Sequence, residues 1–217
     1  MRNYNESIFS MIKGIHELIP TDDLGGNSFS KCYLLACLAT ELNFNNYVEI
    51  GVYRGKSLFS VAVPFILAGG TAIGIDPYIQ EAAHEQDIED VTLRNCVNTL
   101  ISKTDFDDVY NDVMNIKTII GYDDSVKIIR DLSSNAVLHL REIGHKIDML
   151  HIDGNHDTKF VKEDYEYYLP LINDGGAIVF DDINWPSVNV IYQKAKLENT
   201  LIHEEETFGV LLKKRVE

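Results

Sequence analysis

From residue 46 onward the chain alternates short apolar runs with longer amphipathic stretches, and few architectures tolerate that rhythm. Strand–helix alternation predicts an α/β fold: a doubly wound, mainly parallel sheet with helices on both faces. The runs at 47–52, 71–76, 117–121, 147–153 and 175–182 have strand length and β-branched content. Between them, 55–70, 124–142, 158–172 and 186–198 carry apolar residues at helical spacing. The first of these helices ends in two glycines, and Pro64 is expected to kink it. Residues 77–115 form a polar insertion with helical periodicity. The last stretch, 199–214, reads as two strands around an acidic turn, which adds an antiparallel C-terminal hairpin to a seven-stranded sheet.

Ahead of this core, residues 1–45 read as two amphipathic helices around the Gly25-Gly26-Asn27 loop. They are expected to form an N-terminal helical cap, a lid or a homodimer element, on the main domain at 46–217. A chain of 217 residues suits one such structural unit. Its net charge of −15 argues against a phosphate-backbone binder, because the mean field repels nucleic acid. The three cysteines, Cys32, Cys37 and Cys96, include no Cys-x-x-Cys pair, so a reducing, cytoplasmic setting is expected. Charge interrupts the N-terminal segment every few residues, which speaks against a signal peptide or a membrane span.

In doubly wound sheets, ligands bind beyond the carboxyl ends of the strands. The polar residues of interest fall there. Glu49, Gly51, Tyr53, Gly55 and Ser57 form an E-x-G-x-Y-x-G-x-S turn between a strand and a helix. Glycines allow a tight turn and close approach to a ligand, and the helix N-terminus favours an anionic group such as a carboxylate. Asp76 ends the next strand, 25 residues after Gly51, where an acid can accept ribose hydroxyls. A dinucleotide fingerprint needs G-x-G-x-x-G, and Tyr53 would obstruct the approach of a pyrophosphate. Tyr192 and Lys196 match a dehydrogenase-like spacing, but they lie too near the C-terminus and read as a surface helix.

VEIGVYRGKS followed by GIDPY resembles the class I S-adenosylmethionine-dependent methyltransferases with a Rossmann-like fold. Within them it is similar to the metal-dependent O-methyltransferases of the catechol and macrocin (sugar) types, over roughly residues 46–214. The resemblance implies that Glu49, Gly51, Tyr53, Gly55 and Ser57 surround the methionine end of S-adenosylmethionine. It implies that Asp76 holds the ribose, and that Gly121, Asp124 and Ser125 line the adenine.

A second constellation comes from HIDGNHD and FDDI, at the ends of two inner strands. If those strands are neighbours, Asp153, Asp181 and Asp182 converge, and three close carboxylates need protons or a cation. Oxygen ligands suit a hard divalent ion, Mg2+ first. The acids could instead cap the following helix. The resemblance implies that these three are the metal ligands. It also implies that His156, three residues after Asp153, is the catalytic base toward a small-molecule hydroxyl, in a sugar or polyol first and a phenol second. His151 lies on the same strand face as Asp153 and reads as a packed, hydrogen-bonded histidine. Two other readings stay open: an inactive module that only binds the cofactor, and a metallophosphoesterase suggested by the string GNHD, whose companion motifs are missing.

Overall fold

The computed structural model describes residues 2–22 and 24–215. Five parallel strands, β1 (Asn46–Ile50), β2 (Thr71–Ile75), β3 (Val126–Ile129), β4 (Ile147–Ile152) and β5 (Ile172–Phe180), are joined by β6 (Thr200–Glu204) and β7 (Gly209–Leu212). The sheet order is β3-β2-β1-β4-β5-β7-β6, and β7 runs antiparallel to both of its neighbours. This is the expected doubly wound sheet with its closing antiparallel hairpin.

Period-two alternation along buried strands divides the core between the two faces. Tyr47, Met149, Ala177 and Val179 pack on one face against α1 (Arg2–Leu18), α2 (Phe29–Glu41), α3 (Lys56–Leu67) and α6 (Phe106–Ile119). Val48, Ile50, Leu150, Ile178 and Phe180 pack on the other against α7 (Ser133–Glu142), α8 (Thr158–Tyr168) and α9 (Pro186–Glu198). The cap shares the first of these cores. Ile8, Ile12 and Ile15 make one buried stripe along α1 at helical spacing, continued by Ile19 just past its end. Helix α3 runs through Pro64, which sits in its last turn and so disturbs little of the ladder.

Three boundaries differ from expectation. Residues 117–121 are not a strand: α6 runs to Ile119, and β3 begins at Val126. Phe106, Val109, Tyr110, Val113, Ile116 and Ile120 recur at helical spacing and pack on the core, and that amphipathic stripe overrides the β-propensity of the short Thr-Ile-Ile run. Gly121, at φ +75°, turns the chain out of the helix, and the next helix therefore begins at Ser133 rather than near 124. Helix α8 stops at Tyr168 in a 3-10 turn containing Pro170, and β5 already begins at Ile172. The polar insertion folds into one turn, α4 (Gln80–Ala83), then α5 (Val91–Lys103) and most of α6, with Asp90 and Asp105 as side-chain N-caps.

Asp164 sits on the inward face of α8, 4% exposed, and burial pushes its carboxyl up to about 7. An unfolded aspartate titrates near 3.9, so between about pH 4 and 7 the native chain holds a proton that the unfolded chain has lost. Stability therefore falls as pH rises through that window. Asp164→Asn is expected to stabilise the fold by about 2–4 kcal/mol near pH 8 and by almost nothing near pH 4, as read by urea denaturation at the two pH values.

Candidate active site

The strand alternation that builds the core also sends Glu49, His151 and Asp181 to the cap face of the sheet, next to one another on β1, β4 and the end of β5. Glu49 is fully buried. It accepts hydrogen bonds from the Ser57 hydroxyl at 2.7 Å and from the Tyr47 hydroxyl. His151 Nδ1 lies 3.2 Å from Glu49 and 3.1 Å from the Tyr47 hydroxyl, and its Nε2 faces Asp181 at 3.6 Å. Burial opposes the imidazolium, but Asp181 and Glu49 outweigh it and hold the His151 pKa up to about 9. Glu49 and Ser57 thus lie beneath the glycine turn and brace it. His151 is a packed, bonded histidine.

Above them the turn is held from several sides. Gly51 has φ +86°, and a Cβ on it would stand 1.9 Å from the Asp153 carbonyl oxygen. The ends of β1 and β4 approach this closely only because residue 51 is glycine. Gly55, at φ +79°, is the N-cap of α3, so the first-turn N–H groups of that helix face the loop. Asp76 accepts from the Val52 and Tyr53 amides through Oδ2, at 3.0 and 2.9 Å, and from the Tyr78 amide through Oδ1 at 2.8 Å. Burial raises its pKa despite those three bonds. Tyr53 donates its hydroxyl to Asp22 of the cap at 2.7 Å, and Arg54 pairs with the same carboxylate at 2.6 Å. Among the described residues, three of the four non-glycine positions with a left-handed backbone, Tyr53, Tyr78 and Asp182, cluster at this edge. Such backbone is costly and concentrates at functional sites.

The acids at the ends of β4 and β5 form an adjoining cluster. Asp153 accepts from the Asn27 amide at 2.9 Å, and burial and the nearby Asp181 push its carboxyl well above the usual range. Asp181 is paired with Lys31 of α2. Burial would raise the Asp181 pKa, yet His151 and Lys31 hold it below the ordinary carboxylate range. His156 bridges two carboxylates, with Nδ1 2.7 Å from Glu85 and Nε2 2.9 Å from Asp182. Its ring stacks on Trp185 at 4.7 Å. Burial opposes its charge, but Asp182 and Glu85 hold it protonated well above the ordinary histidine range. Two sets of donors could each close on one ion: His151, Asp153 and Asp181, and Asp153, His156 and Asp182. Asp153 belongs to both.

Gly121, Asp124 and Ser125 do not join this edge. The Ser125 carbonyl accepts from Ala72 at the start of β2, whereas the Asp76 amide bonds to Ile129 at the end of β3. Four strand residues, about 13 Å, separate the two levels. The reason is the helical end of α6, which moves β3 downstream, so that Arg130 stands at its carboxyl end. Arg130 lies over the Tyr110 ring and lines an open cleft with Tyr78, Gln80 and Phe106. The string GNHD also has a local role. Asn155 donates to the carbonyls of Ala82 and His84, and Asp157 accepts from Gln86 and Asp87. These residues fasten the insertion, which accounts for the motif without a phosphoesterase centre.

Asn27, Lys31 and Glu85 join the site without belonging to any of its sequence motifs. Lys31 carried a signal: it is the one basic residue of a mostly apolar helix, placed in the first turn, where the helix dipole disfavours it. Glu85 carried none, because only the folded insertion brings it to His156.

This sheet order, with an antiparallel penultimate strand and a glycine turn after β1, defines a class of Rossmann-like methyltransferase folds. Residues 48–183 match the family model described as a methyltransferase domain, and the chain belongs to that family. The solved O-methyltransferase NovP superposes with a TM-score of 0.67 at 12% identity, covering 99% of both chains. TomG of Streptomyces achromogenes, an O-methyltransferase solved with S-adenosylmethionine, superposes at 0.61 with 16% identity over 96% of this chain and 90% of its own. An uncharacterized protein of Acanthamoeba polyphaga mimivirus is 32% identical over 136 residues, 63% of this chain. The chain spans about half the length of that curated relative. Among the described residues, no helix is long and apolar enough to cross a membrane.

Proposed function

We propose that the chain is an S-adenosylmethionine-dependent O-methyltransferase that uses a divalent cation, Mg2+ first, and methylates a hydroxyl of a small molecule, a sugar or polyol before a phenol. The observation that carries this reading is the close backbone approach of Gly51 to Asp153, which sets a cofactor-type turn directly beside an acidic, histidine-bearing cluster. Family membership favours the donor, and NovP and TomG, both O-methyltransferases by name, favour a hydroxyl acceptor.

A hard cation suits the pocket. Glu49, Glu85, Asp181 and Asp182 pair with Lys31, His151 and His156, and Asp153 adds a fifth acid beside them, so acidic groups outnumber cationic ones by two even with both imidazoles charged. Asp153, Asp181 and Asp182 would hold the ion, since carboxylate oxygens are its preferred ligands. When bound, the donor supplies an electrophilic methyl and the ion supplies Lewis acidity toward a hydroxyl.

The chain's own residues do the rest. Gly51 and Gly55 let the loop backbone approach the donor, and the α3 amino end offers N–H groups to its carboxylate. Glu49 and Ser57 brace that loop from below, and the Tyr53 backbone is fixed by Asp76. A carboxylate has about four acceptor positions, and Asp76 uses three on the backbone, so one remains for a ribose hydroxyl. The base of the donor would lie in the cleft by Arg130. Glu85 holds His156 at Nδ1; Nε2 can take the acceptor proton only from the neutral ring, the form favoured once Asp182 turns to a cation, which removes one of the two carboxylates that keep the imidazole charged. In-line positioning of the two reactants supplies much of the rate.

The test is methyl transfer from labelled S-adenosylmethionine to a panel of polyols, sugars and catechols, with Mg2+ or EDTA. Transfer in Mg2+ that falls at least about 100-fold in EDTA is expected. Undiminished transfer in EDTA would remove the metal from the mechanism and leave the methyltransferase.

A further inference from the structure

Lys31 is the least expected group in the acidic pocket. It belongs to the cap, its side chain is 5% exposed, and its ammonium is paired with Asp181. Its Nζ lies 5.6 Å from the centre of the Phe208 ring, so one side of the charge meets an aromatic face and not water. Nothing in α2 itself calls for it. The middle of the helix, Cys32 to Ala39, is apolar apart from the Tyr33 hydroxyl, and a cation in a first turn opposes the macrodipole. Four residues earlier, Asn27 makes a second reach into the same pocket, donating to Asp153. The Ser28 side chain accepts from the Lys31 amide and fixes the helix start between the two contacts. One short cap segment therefore engages Asp153 and Asp181, two of the three carboxylates assigned above to the divalent ion.

We propose that Lys31 is a tethered cation that fills the pocket in the ion-free protein, and that docking of the 27–31 segment and binding of a divalent ion compete for the same carboxylates. The inference rests on the metal reading. A lysine ammonium and a divalent ion cannot share a buried pair of carboxylates without strong repulsion. An ion that binds must therefore release Lys31 from Asp181, and Asn27 gives up Asp153 with it. By linkage, whatever holds α2 down weakens ion binding to the same degree. The cap then reports whether the pocket is loaded: closed over Asp181 when empty, loosened at its 27–31 edge when an ion is bound.

The experiment is Mn2+ titration of the full chain by calorimetry, on wild type, Lys31→Met and Lys31→Arg, with backbone hydrogen exchange of the wild type with and without saturating Mn2+. Lys31→Met should bind Mn2+ at least about 10-fold more tightly than wild type, whereas Lys31→Arg, which keeps the charge, should stay within about 3-fold. Bound Mn2+ should speed exchange of the amides at 31–34 in the wild type, a reading that stands even if Lys31→Met fails to fold. Equal Mn2+ affinity in wild type and Lys31→Met, or unchanged or slower exchange in the first turn of α2, would overturn the competition while leaving the metal reading intact. Absence of Mn2+ binding by all three chains would overturn both.

Discussion

Asp153→Asn is expected to lower the methyl-transfer rate at least about 1,000-fold while changing S-adenosylmethionine affinity by no more than about 3-fold. The residue is the one acid common to both possible donor sets, so its charge cannot be replaced by re-pairing the others. The substitution keeps the shape of the site. The backbone of residue 153 still donates to Ile50 at 2.9 Å and still presents its carbonyl to Gly51. An asparagine oxygen can still accept from Asn27. What is lost is the acid that a bound cation would hold ionised at the reacting centre, which should appear in kcat and not in cofactor binding. Single-turnover transfer with labelled donor, beside calorimetric titration of S-adenosylhomocysteine, separates the two. A variant with the wild-type rate would move the chemistry away from Asp153.

Gly51→Ala should damage both the fold and the cofactor site. The added Cβ would lie 1.9 and 2.4 Å from the carbonyl oxygen and carbon of Asp153 and 2.7 Å from the Gly154 Cα, all backbone atoms that no rotamer change can move. A φ of +86° adds strain for any side chain. Together these should cost at least about 3 kcal/mol, or roughly 6–12 °C in Tm for a chain of this size. Cofactor affinity should fall at least about 10-fold, because the ends of β1 and β4 must part. Gly69 provides the control: its φ is +77°, but nothing stands within 4 Å of its Cβ position. Gly69→Ala should cost only about 1 kcal/mol, with cofactor affinity unchanged. Similar losses in the two variants, by thermal melts and titration, would mean that backbone strain and not the close β1–β4 approach sets the demand for glycine.

The parts of the molecule legible in sequence are those written in local periodicity. Strands buried on both faces are short apolar runs, and the helices between them repeat at 3.6 residues, so the sheet and its closing hairpin could be read directly. The third strand lies downstream of its expected place because Lys117–Ile120 has β-branched character but completes an apolar helical stripe begun at Phe106. That shift carried Gly121, Asp124 and Ser125 to the wrong end of the sheet and hid Arg130. Neighbouring parallel strands put the aspartates at one edge, where Asp153 meets Asp181 in one set and Asp182 with His156 in another, so that no set holds all three aspartates; His156 itself rested on the resemblance. Their partners were not legible, because Asn27 and Lys31 arrive from more than a hundred residues away and Glu85 from an insertion whose path no local pattern predicts. Glu49 and Ser57 were identified as important, but their contacts turn inward to His151 and Tyr47, a burial that strand alternation implies only once the cap is known to cover that face.

Titration of S-adenosylmethionine into the purified full chain tests the central claim most directly. One-site binding with a Kd of about 1–100 μM is expected, weakened at least about 10-fold in Asp76→Ala, which frees the loop amides of Val52 and Tyr53. No binding at millimolar donor, or equal binding by wild type and Asp76→Ala, would contradict a cofactor site at the β1 turn.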